Sequence, residues 1–445
     1  MKNKSSLWLM ILLFISVLLV NCGTTESRNA TSQDSLSSPE QRELSPAARE
    51  RKEQIERLEQ SFGNRGLHDP ASDFGAEPIN NGTAVMINGY LGRSQIVRIP
   101  PTIRDLPVTH IREGVFRNKN LTSVTIPDSV TYIGRFAFEG NRQLTSVTIP
   151  NSVVTIGNGA FKNCTSLTNI VIPDSVKVLS RRFFRGTSEE IIDDSENFRE
   201  MFEGCTSLRN VIIGNGLTIL GGNVFKGCSS LTSVIIPNSV ITIGNYAFNG
   251  CTALTSVTIP DSVTSIGAAA FMGCTGLTDV TIGNSVTVIG SYAFRDCTRL
   301  TNVNIGSSVT QIANEAFRDC RMLRNIIIPN SVINIGNFAF QNSGLTNVRL
   351  GNNVRTIGQD AFRDCDLRNI TIPASVTRMY DTVFYGNRNL QVVRFLSQTP
   401  PTLGSGVFNY TNANVRFEVP AASVNAYKSA WMERNLSNQI FPIWE

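Results

Sequence analysis

The sequence predicts a repeat solenoid: a right-handed horseshoe with short parallel strands on its concave face, few or no regular helices, and a cap at each end. Three observations carry this prediction. Leucines recur at a fixed interval: Leu121, Leu144 and Leu167 are 23 residues apart, as are Leu208, Leu231, Leu254, Leu277, Leu300 and Leu323, while Leu345 and Leu367 follow at 22 and Leu390 at 23. Around each leucine the same unit returns, L-x-x-[VI]-x-[IL]-[PG]-x-S-V-x-x-[IL]-G-x-x-A-F-x-x-C. A sustained period of this length marks an array in which each unit buries its apolar side against its neighbours. Finally, 41% of the 445 residues are hydrophobic and mean hydropathy is near zero, so the chain can fill a large core. The repeat overrides the two or three domains that length alone suggests.

The chain divides into five parts. Residues 1–21 read as an export signal: Lys2 and Lys4 precede the uncharged apolar run Leu7 to Val20. As a helix that run spans about 21 Å at ~1.5 Å per residue, short of the ~30 Å bilayer core, which favours a signal peptide over a membrane span. Leu19-Val20-Asn21-Cys22 resembles a bacterial lipobox, although Asn21 stands where Gly, Ala or Ser is usual. The resemblance implies cleavage before Cys22, acylation of that residue and stable lipid anchoring in a membrane. The competing reading is an ordinary secretory signal with a coincidental cysteine. Gly23, in place of the Asp that retains some lipoproteins at the inner membrane, points to the outer membrane or cell surface.

Residues 22–78 form a polar tether, rich in Ser, Thr, Asn, Gln, Glu and Arg, that cannot bury enough surface to fold alone. Ser45-Pro46 can start a helix over 46–62, with Ala48, Ile55, Leu58 and Phe62 near one face. A solvated tether and a docking or coiled-coil helix both fit this segment. Residues 79–120 are an N-terminal cap with a first partial repeat, residues 121–395 the repeats, and residues 396–445 a C-terminal cap. Within a unit, Leu254, Val257 and Ile259 point inward from a short strand and its entry turn. Pro260 ends that strand because it lacks the N–H to continue a ladder. Val263 and Ile266 then turn the chain back, and Ala270-Phe271 closes the coil.

These residues are similar to the treponemal-type, BspA-like leucine-rich repeats of bacterial surface proteins, and the resemblance covers about residues 80–445. It implies a leucine-rich-repeat horseshoe of the α/β type. It also implies an N-terminal cap running from Gly89-Tyr90-Leu91-Gly92 to Leu106-Pro107-Val108, and a strand-plus-helix cap from Val419-Pro420 through Tyr427 and Trp431 to Ile443. Caps are physically required, since an uncapped last coil exposes an apolar face and unpaired edges. By function, the resemblance implies attachment to host matrix proteins, host cells or other bacteria.

Eight cysteines share one repeat position: Cys164, Cys205, Cys228, Cys251, Cys274, Cys297, Cys320 and Cys365, with Asn342 assigned to that position in one repeat. A buried column of small apolar thiols and disulfide or metal chemistry in an exported protein both suit such a column. Parallel side chains on neighbouring coils lie ~4.8 Å apart, slightly too far for a disulfide, and no C-x-x-C is present. A serine column, from Ser129 through Ser152, Ser239 and Ser262 to Ser375, suits hydroxyls bonded to turn backbone.

The concave face is the expected binding surface. Its outward positions are small and polar early on (Thr122, Ser123, Thr125, Thr145, Ser146, Thr148), and Thr258 and Thr281 continue the pattern. Later coils add Asn302, Asn304, Asn325, Asn347 and Asn369, then Arg324, Arg349, Arg368 and Arg394. Such a surface suits a glycoprotein, a polyanionic glycan or an acidic protein loop. The competing reading is a solvated face serving strand propensity and solubility. The 41 residues from Leu167 to Leu208 contain an 18-residue insertion near 187–202, with Glu189, Glu190, Asp193, Asp194, Glu196 and Glu200. Calcium, partner contact and an inert acidic loop are its three readings; no D-x-D-x-D-G spacing supports the first.

The two histidines, His68 and His110, leave little for imidazole catalysis or metal binding. No H-E-x-x-H, G-x-S-x-G, P-loop or G-x-G-x-x-G occurs. A formal charge of +5 falls short of a nucleic-acid binder's basic stripe. The expectation is a non-enzymatic, cofactor-free surface lipoprotein that binds protein or glycoprotein ligands of a host matrix, a cell surface or other bacteria. The alternative is a periplasm-facing envelope scaffold.

Overall fold

The structure, a computed structural model, describes residues 68–177, 182–185, 188–191, 200–432 and 436–443. The signal segment, Cys22, the helix expected over 46–62 and Trp444 lie outside the described residues. The first strand, Phe74–Ile79, starts before residue 79, where the sequence reading began the cap. It pairs antiparallel with Ala84–Tyr90, which pairs in parallel with Leu106–Ile111 and so joins the array. Two strands of the cap thus cover the first coil edge.

From there each coil stacks on the next in strict register. Ser256–Ile259 pairs in parallel with Asp279–Ile282, Val257 opposite Val280 and Ile259 opposite Ile282. Alternation follows the two-residue strand period: Val257 and Ile259 are buried while Ser256 and Thr258 are exposed. A second parallel ladder runs beside the first, nine two-residue strands from Ile219–Leu220 to Thr402–Leu403. The segment holding Ile266, expected only to turn the chain back, is one of these strands, Ser265–Ile266. The glycine after it follows from close coil approach, since a Cβ on Gly267 would stand 2.6 Å from the Asn245 backbone nitrogen.

The third side of each coil bonds its neighbour in one direction only. In the first strand ladder N–H groups reach both ways, back from Thr278 to Thr255 and forward from Ile328 to Arg349, and in the second Gly267 N–H reaches back to Ile243. Phe248 N–H instead reaches forward to Ala270 and Phe271 N–H to Ala293. Left-handed residues bracket each such segment, for example Tyr246 and Gly250 around Phe248. The second of these positions holds Gly204, Gly227, Gly250 and Gly273, then Asp296, Asp319, Asn342 and Asp364, the residue types that tolerate this region. Inside, the phenylalanines form one continuous stack from Phe116 to Phe408. Adjacent ring centroids are 5.1–5.7 Å apart.

The extra segment carries a two-stranded antiparallel hairpin, Arg182–Arg185 with Ser188–Ile191, which starts before residue 187. The coil resumes at Met201-Phe202, where Phe161 N–H bonds Met201 O at 3.0 Å. At the C-terminus, Arg416–Val419 is followed by the helix Val424–Ala430, and Ile440–Pro442 returns to pair with the strand. Trp431 seals this end against Phe395, Phe417 and Tyr427.

Candidate binding face

Three rows of outward side chains run across the first strand ladder. The row just before the strand is mostly threonine, and hydroxyls in it reach the previous coil: Thr255 to Thr232 O, Thr278 to Thr255 O, Thr301 to Thr278 O. These bonds hold the threonines in a fixed comb. In the second row, amides pair sideways: Asn210 donates to Asn169, Asn302 to Asp279, and Asn347 to Asn325 at 2.9 Å. Hydrogen bonds from Thr278 and Asn302 hold the exposed Asp279 carboxyl below the usual carboxylate range. The third row lies between the two inward positions and contains Thr258, Thr281, Asn304, Arg349 and Arg394.

Of the residues that the sequence placed on this face, Thr258, Thr281, Asn302, Asn304, Arg324, Asn325, Asn347, Arg349, Arg368, Asn369 and Arg394 stand exposed in one of these rows, whereas Thr122 and Ser123 at the start of the face are half-buried. Arg394 is neutralised by Glu418 at 2.7 Å, a pairing the sequence spacing did not show. Arg324 donates to Gly344 O at 3.0 Å.

The face is not uniformly polar in its first half. Val171, Ile212 and Ile235 follow one another in the third row, and Ile235 is 82% exposed. Ile327 stands in the same row opposite Arg349, 63% exposed. The signal was in the sequence: where other units carry a polar or charged residue at the centre, as in V-T-I, V-N-I and V-R-L, these read I-V-I, V-I-I and I-I-I. The middle residue of each triplet must face out.

The cysteine column is internal. All eight are buried free thiols, and from Cys164 onward each donates to a Phe carbonyl of the preceding coil at 3.2–3.3 Å. Burial pushes the thiols of Cys164, Cys274 and Cys365 up to about 12 and the others in the same direction. They stay protonated and are poor nucleophiles. The residue that replaces cysteine in one repeat is Ser343, not Asn342: Ser343 is buried beside Cys365 at 3.3 Å, whereas Asn342 is exposed. The coil is one residue short there, which shifts the count. Of the serine column, Ser152, Ser239, Ser262 and Ser375 bond carbonyls of the preceding coil, while the buried hydroxyls of Ser175 and Ser331 have no such partner.

Of the insertion's carboxylates, only the Glu200 side chain is described, and it is bound by Lys162 at 2.6 Å. Burial works against the Lys162 charge, but Glu200 and Glu203 outweigh it and hold the ammonium above its ordinary pKa. Among the described residues no group of three or more His, Cys, Asp or Glu is arranged around a metal position. On the second-ladder side lies a groove of about 760 Å³ lined by Ile219, Asn223, Lys226, Thr242 and Tyr246, among others. Lys226 is ion-paired there with Glu203.

The BspA type leucine rich repeat region matches in six copies over residues 109–199, 196–324 and 310–437, most of the chain. The chain belongs to the BspA-type leucine-rich repeat family. No curated protein matches it significantly. Among solved structures, a leucine-rich repeat protein from Bacteroides ovatus is 23% identical, with 84% of this chain and 98% of that one covered at a TM-score of 0.51. A leucine rich cell surface protein from Faecalibacterium prausnitzii is 28% identical over 82% and 98%, at 0.49. The BspA-type solenoid fits a binding or adhesion role.

Proposed function

We propose that this BspA-type solenoid is a non-catalytic adhesion module. It is anchored through Cys22 at the outer membrane or cell surface, and its strand face binds a protein or glycoprotein of a host matrix, a cell surface or another bacterium. The observation that carries the reading is the face itself. Coil after coil presents exposed hydroxyl, amide and guanidinium groups in three ordered rows, fixed from behind by the parallel ladder. Repeat arrays use such extended surfaces for binding. Proteins with BspA-like repeats are commonly bacterial surface proteins, and the lipobox-like Cys22 supplies an anchor. Many anchored copies add avidity to modest single contacts.

The test has two parts. On intact cells, protease is expected to degrade the solenoid while a periplasmic control survives. The purified protein is expected to bind matrix proteins or partner cells saturably, and Thr281→Tyr with Asn304→Tyr to abolish binding without lowering the melting temperature. Protection on intact cells, with digestion after lysis, overturns surface exposure in favour of the periplasm-facing scaffold. Unchanged binding by the double variant overturns the strand face as the site.

A further inference from the structure

We infer that the last repeats of the strand face form a track for an acidic glycan, a linear polysaccharide bearing carboxylate or sulfate groups. The inference rests on the strand face being the binding surface and adds the chemistry of the partner. Arg324, Arg349, Arg368 and Arg394 stand one per coil on four consecutive coils. Arg324 and Arg368 occupy the row before the strand, Arg349 and Arg394 the row between the inward residues. The guanidinium groups therefore alternate between two rows about 10 Å apart, three residues at ~3.3 Å each. Between those rows runs a line of amides, Asn325, Asn347 and Asn369.

The charge is uncompensated along most of this track. From Thr301 to Arg394 the outward strand positions contain no carboxylate. The first to appear is Glu418, whose ion pair with Arg394 closes the track. The guanidinium groups of Arg349 and Arg368 have no hydrogen-bond or ion-pair partner among the described residues, and both residues are exposed. Like charges one coil apart repel, and a polyanion relieves that repulsion with release of its counterions. Guanidinium groups pair carboxylate or sulfate through two parallel hydrogen bonds.

Alternation at a fixed rise selects among polyanions. An extended glycan with a two-fold repeat presents the acid groups of successive units on opposite sides, matching two staggered rows. An acidic loop of a folded protein lacks that repeat. Single-stranded nucleic acid depends on aromatic stacking platforms, and these outward positions contain no aromatic residue.

The experiment measures binding of the full-length protein to heparin, which is sulfated, and to hyaluronan, which bears carboxylates only. Dextran, polyglutamate and a single-stranded oligonucleotide are the comparators. At least one acidic glycan is expected to bind saturably and to be released by salt. Arg349→Gln with Arg368→Gln is expected to weaken it at least about tenfold, a loss on the scale of a charge-assisted contact. Arg142→Gln with Arg355→Gln, of equal net charge but off the track, should leave it unchanged. Equal weakening by both pairs, equally tight and Arg349-dependent binding of polyglutamate or the oligonucleotide, or no glycan binding overturns the inference. If no glycan binds while Thr281→Tyr with Asn304→Tyr still abolishes matrix or cell binding, the glycan alone is wrong and the strand-face reading stands.

Discussion

Asn141 and Asn387 show single residues repairing irregularities in the array. In a full coil, Leu254 N–H bonds Cys251 O at 3.1 Å. Phe116 to Leu121 and Phe362 to Leu367 are each one residue shorter, and their leucine N–H groups bond the side-chain oxygens of Asn141 and Asn387 from the following coil. Each asparagine also donates Nδ2 to two Phe carbonyls, so a buried amide is fully used. Phe340 to Leu345 is a third short coil, but the residue after it is Cys365, whose thiol meets only the Phe340 carbonyl role of that amide. Cys365→Asn is therefore expected to be tolerated better than Cys251→Asn. In the latter, Leu231 N–H is already bonded to Cys228 O, leaving a buried amide oxygen unsatisfied at a cost of about 1–3 kcal/mol. Urea denaturation of the two variants measures the difference; equal losses would show that the short coil does not determine the preference.

At the scale of one strand, alternation separates structure from recognition. Ile259 is 1% exposed and Thr258, its neighbour, is open to solvent. Ile259→Asp buries a charge among apolar coils and is expected to cost roughly 3–5 kcal/mol. Thr258→Asp is expected to cost under about 1 kcal/mol, as a surface change. Thermal unfolding followed by circular dichroism tests this; similar melting shifts would refute the register. The same alternation explains why the strand face was legible residue by residue. The row Val171, Ile212, Ile235 was equally legible from the I-V-I and V-I-I triplets. The second ladder was harder, because two-residue strands are too short for an alternating pattern and their pairing is set by the coil beside them.

Over the whole molecule, the eight thiols act as one titrating column. Folded, they hold their protons well above the ordinary value of 9.0. Once unfolded they release them near that value. Above pH 9 the unfolded chain thus binds fewer protons than the folded one, so stability is complete below pH 9 and falls as pH rises towards the folded values. Each thiol contributes a slope of up to about 1.4 kcal/mol per pH unit, and the column multiplies it. Denaturation at pH 7, 9 and 10.5 should show a steep alkaline loss that is shallower in Cys251→Ala. An unchanged slope in that variant would remove the thiols as its cause.

The repeat period, the inward leucines, valines and isoleucines, the shared position of the eight cysteines and the outward polar rows were all determined by the sequence alone. In a solenoid each coil touches only its neighbours, so a spacing of 22 or 23 along the chain becomes a contact in space. The tertiary structure decided what that spacing does not encode. It placed Ser343 rather than Asn342 beside Cys365, because a one-residue deletion shifts every later count. It brought Lys162 to Glu200 across the insertion, and Glu418 to Arg394 while leaving Arg349 and Arg368 unpaired. Charge compensation depends on which side chains meet across adjacent coils, and that is settled only when the coils stack.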